Sequence, residues 1–312
     1  MGVRGALLVL MVVAARVASA HSFEGPAAPA PAWGSRLFSD ELAAEPAKEP
    51  AAEPEPAAEP RHVCSDPTAQ TQLSRCFPQL FYHDFVDLFR APAQWKAREW
   101  GLVSAGVVGV GALVTVDDDI RTAVLRSGPG FEDKIARTFE PFGTWASFAV
   151  IGGFYFGGLA AHDPKARGVA ADAVVASIIS GVIVTPALKK ISGRSRPREG
   201  EGPYDFNPFS GGPSFPSGHA TQAFTVASVI ATEYPAPWVQ AACYGPATLV
   251  LYARMRHDGH WASDVAAGAL VGWGVGRQVA LFNQPVREGK HHVRLMPLFA
   301  PKAAGVVFDV GL

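Results

Sequence analysis

The sequence predicts an all-α protein, a bundle of about six apolar helices that is membrane-associated or membrane-embedded. Three observations predict it. Six apolar stretches rich in Ala, Gly and Val cover roughly 101–116, 144–161, 169–188, 219–233, 237–253 and 262–282. Small residues recur at three- and four-residue spacing (Gly152, Gly153, Gly157, Gly158; Ala266, Gly268, Gly272), which permits close helix packing in lipid or in a water-soluble bundle. A chain of 312 residues holds one sizeable helical domain with appendages. Most of the stretches fall short of the about 20 residues a spanning helix usually needs, so the number of spans stays open. With 27 basic and 28 acidic residues and no basic block, nothing points to a nucleic-acid partner. No obligate protein partner is evident either.

The elements follow in order. Residues 1–20 read as a secretory signal: Arg4 supplies the positive start, Ala6–Ala15 is apolar, and Ala18-Ser19-Ala20 is a small-x-small cleavage site. The alternative is an uncleaved anchor. Residues 21–60 repeat Glu-Pro five times and are rich in Ala, which makes a semi-extended tether. In an oxidising compartment Cys64 and Cys76 could pair across their short loop, while Cys243 lies in an apolar stretch and reads as a core residue. Residues 61–94 form an amphipathic N-terminal segment, with Phe81, Phe85, Leu88 and Phe89 near helical spacing. Trp95 and Trp100, beside Lys96, Arg98 and Glu99, suit either a membrane surface or a helix packed on a core. The helical domain proper is 95–282. Within it, Asp117-Asp118-Asp119 reads as an acidic helix start rather than a cation site. Residues 283–312, with Pro297, Pro301 and Gly305, form a hairpin or irregular tail.

Three segments carry the chemistry. In Lys189–Pro197 (KKISGRSRP) a helix ends near Gly193 and Pro197 prevents its continuation, so Lys189 on the last turn and Arg196 in the loop can converge on one anion. Pro216–His219 (PSGH) precedes an apolar run. Ser217 is placed to cap that helix, Gly218 lets backbone approach an anion, and His219 can donate a proton. In Arg254–Asp264 (RMRHDGHWASD), a helix starting near His260 puts Asp264 one turn later on the same face. A carboxylate on one imidazole nitrogen leaves the other free to attack. His257-Asp258 lies inside this segment, as substrate contact or as loop polarity. His291-His292 reads as a solvated pair.

Lys-x6-Arg-Pro (Lys189, Arg196, Pro197), Pro-Ser-Gly-His (216–219) and Arg-x5-His-x3-Asp (Arg254, His260, Asp264) together resemble the signature of the type 2 phosphatidate phosphatase superfamily. That superfamily includes lipid phosphate phosphatases, bacterial class A acid phosphatases and vanadium haloperoxidases. The resemblance covers about 95–282. It departs at one point, where Ala253 precedes Arg254 in place of the usual Ser. The resemblance implies a nucleophilic His260 that forms a phosphohistidine, Asp264 to orient it, and His219 to protonate the leaving oxygen. It implies a phosphate clamp of Lys189, Arg196 and Arg254, helped by Ser217 and the Gly218 N–H, with no cofactor and no metal. The expected activity is that of an exported phosphatase of the bacterial envelope, acting on a phosphorylated lipid with its site facing the periplasm. A soluble periplasmic phosphatase of small phosphoesters is the alternative. A vanadate-dependent haloperoxidase and a non-catalytic phospholipid binder are more distant ones. One difficulty precedes any structure. Three crossings from an outside start would leave the Lys189 loop in the cytoplasm.

Overall fold

The structure, a computed structural model, describes residues 73, 76–126 and 130–287, with the backbone alone of 292–300 and 303–311. The signal, the tether, Cys64 and His291 lie outside the described residues.

All six apolar stretches are helical. Helix α1 (Phe77–Gln94) leads into α2 (Ala97–Val114), which takes up the first stretch. Two short helices follow, α3 (Asp117–Leu125) and α4 (Phe131–Phe139), then a 3-10 turn at Glu140–Gly143. Helix α5 is Trp145–Ala160. The third stretch is one continuous unit made of α6 (Pro164–Ser177), a π segment (Ile178–Val184) and α7 (Thr185–Ser192). The last three are α8 (Gly218–Glu233), α9 (Pro237–Arg256) and α10 (Ala262–Arg287). Helix α10 therefore begins two residues after His260 and runs past the expected domain end at 282. A hairpin of β1 (His292–Ala300) and β2 (Ala303–Gly311) follows.

Helix α8 is the axis of the bundle. Its Val226 and Val229 pack with Val169, Val175 and Ile179 of the α6–α7 unit and with Val275 and Val279 of α10. Its other side, through Phe224 and Ala227, meets Val250 and Leu251 of α9. The apolar burial of such side chains contributes roughly 1.5–3 kcal/mol each. Close approach of α10 to α8 depends on small residues. A Cβ on Gly268, Gly272 or Gly276 would lie 2.4, 2.2 or 2.4 Å from the carbonyl oxygens of Ser217, Thr221 and Thr225. The second small-residue series behaves differently. Gly152, Gly153 and Gly157 of α5 have nothing within 4 Å, and Gly158 alone packs tightly, against Ala166 and Arg167.

By length and composition, three described segments can cross a membrane: Ala97–Val114, Pro164–Ser192 and Ala262–Pro285. The pair Phe131–Gly143 and Trp145–Ala160, bent by 54°, makes a fourth if counted as one span. Helix α2 turns an apolar face outward, with Val103, Val107 and Val108 exposed.

The long helices alternate in direction, and this positions everything else. The C-terminal ends of α2, α7 and α9 share one end of the bundle with the N-terminal ends of α5, α8 and α10. At the opposite end a buried polar network ties α1, α6, α8 and α10 together. Asn283 Nδ2 donates to Asp84 Oδ2 and Asp172 Oδ1, each at 2.9 Å. Arg287 pairs with Asp172 at 2.8 Å and also with Glu233. Just before α1, Cys76 is buried and disulfide-bonded, while Cys243 is a free thiol.

Candidate active site

At the first end, the helix termini deliver the three sequence motifs to one place. Helix α7 stops at Gly193, which adopts φ +58°. Only glycine fits there, because a Cβ would fall 1.7 Å from the carbonyl oxygen of Asn207 as the 193–217 loop folds back. Lys189, on the last turn, donates to the carbonyls of Pro213 and Ser214. Arg196 follows in the loop, its N–H on Glu199 Oε2 at 2.9 Å. Burial first, then the nearby Arg198 and Arg254, pull its guanidinium below the ordinary arginine value.

Asp264 is the hub of the site and is fully buried. Its Oδ1 accepts from Arg194 Nη1 at 2.7 Å; its Oδ2 accepts from Ser214 Oγ at 2.5 Å and from the Trp261 N–H at 3.0 Å. His260 Nδ1 stands 3.6 Å from Oδ2. That is longer than a hydrogen bond, so the carboxylate holds this segment through the N–H of the next residue, Trp261. Nδ1 faces the carboxylate, which leaves Nε2 on the other side of the ring. His260 is 4% exposed, and burial pushes its ring down to about 4 against the opposing pull of Asp264. The imidazole is thus neutral near pH 7, the form that can attack phosphorus.

Ser217 departs from the expectation of a side-chain cap. It occupies the N-cap position of α8, yet its Oγ makes no cap bond; it is fully buried and has no partner. The cause lies in tertiary packing. The Ser217 N–H is held by the carbonyl of Asp264 at 3.0 Å, so α10 fixes the backbone and leaves the hydroxyl at the helix start. His219 lies in the first turn of α8. Arg254, on the last turn of α9, gives Nη1 to Glu140 and keeps Nε unpaired, as Arg196 does. The charged neighbours of His219 are Arg254, Glu140, His260 and Arg196; those of Lys189 are Arg196, Asp264 and Arg254. Lys189, Arg196, Ser217, Gly218, His219, Arg254, His260 and Asp264 therefore come together at this end of the bundle. The arrangement sets cations and a helix N-terminus beside a neutral histidine, and such a set is chemically able to hold an anion.

Sequence reasoning missed the supporting residues. Arg194 is fully buried and bridges two carboxylates, Asp264 at 2.7 Å and Asp117 at 2.7 Å, with a further bond to Ser263 Oγ at 2.6 Å. The rings of Phe206 and Trp261 lie beside its guanidinium. The acidic run 117–119 does open α3, but Asp117 is buried there, accepting from the Ser263 N–H at 2.9 Å. Asp118 and Asp119 are exposed, as a helix-start reading implies. Asp117 shows in sequence only as one of three identical residues, and Arg194 as the less obvious of two arginines in one motif. His257 and Asp258 have protein partners: His257 Nδ1 is 3.0 Å from Glu140 Oε2, and Asp258 holds Arg121 through two bonds of 2.7 and 2.8 Å.

Comparison with known proteins matches the same part of the chain. Residues 171–288, which contain all three motifs, match the family model described as PAP2 superfamily. A lipid A 1-phosphatase of Porphyromonas gingivalis is 31% identical over 163 residues, 52% of this chain and 33% of that protein. The match thus spans about a third of that relative's length. The crystal structure of Aquifex aeolicus LpxE aligns with 20% identity over 54% of this chain and 94% of that one, at a TM-score of 0.42. Residues 171–288 thus resemble the PAP2 superfamily, and the three motifs they carry meet in one place in the structure.

Proposed function

We propose that this chain hydrolyses a phosphomonoester or diphosphate, preferentially of a lipid, through a phosphohistidine on His260. The observation that carries the reading is the convergence of buried, unpaired donors on a neutral histidine. Arg196 Nε, Arg254 Nε and Ser217 Oγ have no partner; Arg254 and Lys189 stand near His260, Arg196 stands near Lys189 and His219, and the Ser217 N–H is held by Asp264. Buried polar groups are nearly always bonded, so such a set fits an anionic ligand.

In the first step His260 Nε2 forms a bond to phosphorus as the bond to the leaving oxygen breaks. The electron pair stays on that oxygen, which takes a proton from His219. Charge developing on the equatorial oxygens is met by Lys189, Arg196, Arg254, Ser217 Oγ and the Gly218 N–H at the start of α8. In the second step water attacks phosphorus, His219 takes its proton, and the N–P bond returns its pair to His260. One water is consumed, and an alcohol (or a monophosphate) and inorganic phosphate are released. The residues complete both steps without a metal.

A lipid substrate is supported by the outward apolar face of α2 and by the three segments long enough to span a membrane. The Porphyromonas relative, by its name, acts on lipid A. A bacterial envelope membrane is the corresponding location. The test is phosphate release by the purified full chain in detergent with a chelator present, comparing phosphatidate, lipid A, isoprenyl diphosphate and p-nitrophenyl phosphate. Release from one or more lipids well above that from the small ester is the expected result. Comparable or faster release from the small ester would replace it with a small-phosphoester phosphatase.

A further inference from the structure

Glu140 is a carboxylate in the middle of a phosphate-binding site, where charge alone would disfavour one. It belongs to the 3-10 turn Glu140–Gly143, and that turn is pressed against His219. A Cβ on Gly143 would lie 2.7 Å from His219 Cβ and 2.9 Å from its carbonyl oxygen. The carboxylate reaches three residues of the site. Its Oε1 pairs with Arg254 Nη1 and lies 3.9 Å from His219 Nε2; its Oε2 is 3.0 Å from His257 Nδ1. Around the His219 ring stand Arg254 from α9, Arg196 from the loop after α7, and His260 from the loop before α10. Burial, the largest influence, pulls the ring down to about 4; Arg254, His260 and Arg196 add to that pull, and Glu140 opposes it. A general acid set among cations loses its proton too readily unless a negative charge stands close by.

We propose that Glu140 is a positioning residue that keeps on His219 the proton which the leaving oxygen takes. The inference rests on the phosphatase reading above, with His219 as its general acid. Glu140 itself exchanges no proton and touches no phosphorus. It acts through His219, while His257 and Arg254 hold its two oxygens in place.

Leaving-group chemistry separates this role from a structural one. An alkyl phosphate such as phosphatidate expels an alkoxide, which needs the proton; p-nitrophenyl phosphate expels a stable phenolate, which hardly does. Wild type, Glu140→Gln, Glu140→Asp and His219→Ala would be assayed as full chains in detergent on both substrates, with pH profiles of kcat on phosphatidate. Glu140→Gln is expected to lower kcat on phosphatidate about 10–100-fold, part of the 10²–10⁴ that general acid catalysis supplies. The loss on p-nitrophenyl phosphate should be about tenfold smaller. The basic limb of the phosphatidate profile should move to lower pH, since the ring then releases its proton earlier. Glu140→Asp should recover part of both effects. Equal losses on the two substrates, a basic limb that stays in place, or a change in KM alone would each overturn the inference. His219→Ala tells the two failures apart. If it shows no leaving-group selectivity, the general-acid assignment itself falls; if it does and Glu140→Gln does not, only the role of Glu140 falls.

Discussion

At the scale of single residues, the site depends on how Asp264 is shared. Its carboxylate takes Arg194, Ser214 and the Trp261 N–H as hydrogen-bond donors, and stands 3.6 Å from His260. Arg194 in turn is divided between Asp264 and Asp117. Arg194→Met would leave two buried carboxylates facing each other without a cation, which costs about 3–5 kcal/mol. We expect most of the stability to be lost in denaturant titration, and partial recovery when Asp117→Asn is added. An unchanged unfolding midpoint would show that the bridge is not structural. His260→Ala is expected to abolish turnover while orthovanadate still binds, because the cations and Ser217 remain; residual turnover within about tenfold of wild type would remove His260 as nucleophile. The free enzyme's His260 is lowered to about 4 by burial. The ring is therefore protonated, and unable to attack, only as pH falls through about 4. The acid limb of kcat/KM should lie there rather than near the ordinary histidine value of about 6.5.

At the scale of elements, two close approaches bring the motifs into register. Helix α10 lies against the backbone of α8 along Gly268, Gly272 and Gly276, and the Ser217–Asp264 backbone bond sits at the head of that seam. A side chain at 272 would meet the Thr221 carbonyl oxygen at 2.2 Å, so backbone must move. Gly272→Val is expected to cost about 1–3 kcal/mol by overpacking, and to reduce kcat as Asp264 is carried away from His260. Gly152→Val, on a face of α5 with nothing within 4 Å, should change stability by no more than about 0.5 kcal/mol. Comparable losses in the two variants, read by thermal unfolding in detergent, would count against the seam as the positioning device. The glycine spacing was legible in both helices. Which of them packs backbone to backbone was not, since spacing says nothing of the neighbour.

At the scale of the whole molecule, the alternation of helices places chemistry and anchorage at opposite ends. The site gathers at the N-terminal ends of α8 and α10, while Asn283 and Arg287 at the far end of α10 tie in Asp84 of α1, Asp172 and Glu233. Between α1 and the site the chain passes through α2 alone, a segment long and apolar enough to cross a membrane. If α2 crosses, α1 and the site lie on opposite faces. A start exported by residues 1–20 then puts the site in the cytoplasm, and a periplasmic site requires α1 on the cytoplasmic side. The two sequence expectations, an exported start and a periplasmic site, exclude each other in that fold. Cysteines placed at the exposed Arg198 and His162, in a chain with Cys243 replaced, should label with a membrane-impermeant maleimide from opposite sides. Labelling of both from one side would show that the bundle does not cross.

The sequence by itself determined the helices and the proposed reacting groups. Apolar runs of this length form helices wherever they are buried, and Lys189, Arg196, His219, Arg254, His260 and Asp264 carry chemistry that few other spacings would need. Only the tertiary structure decided what supports them. Arg194, Asp117, Ser214 and Glu140 come from segments up to 147 positions away from Asp264, the distance from 117 to 264. They reach the site through helix termini brought together by packing. Burial then makes the difference: inside the bundle a carboxylate must find a cation, a hydroxyl must find a partner, and the field of each charge acts at short range on the next. No local pattern records those demands, because they arise from neighbours that the fold supplies.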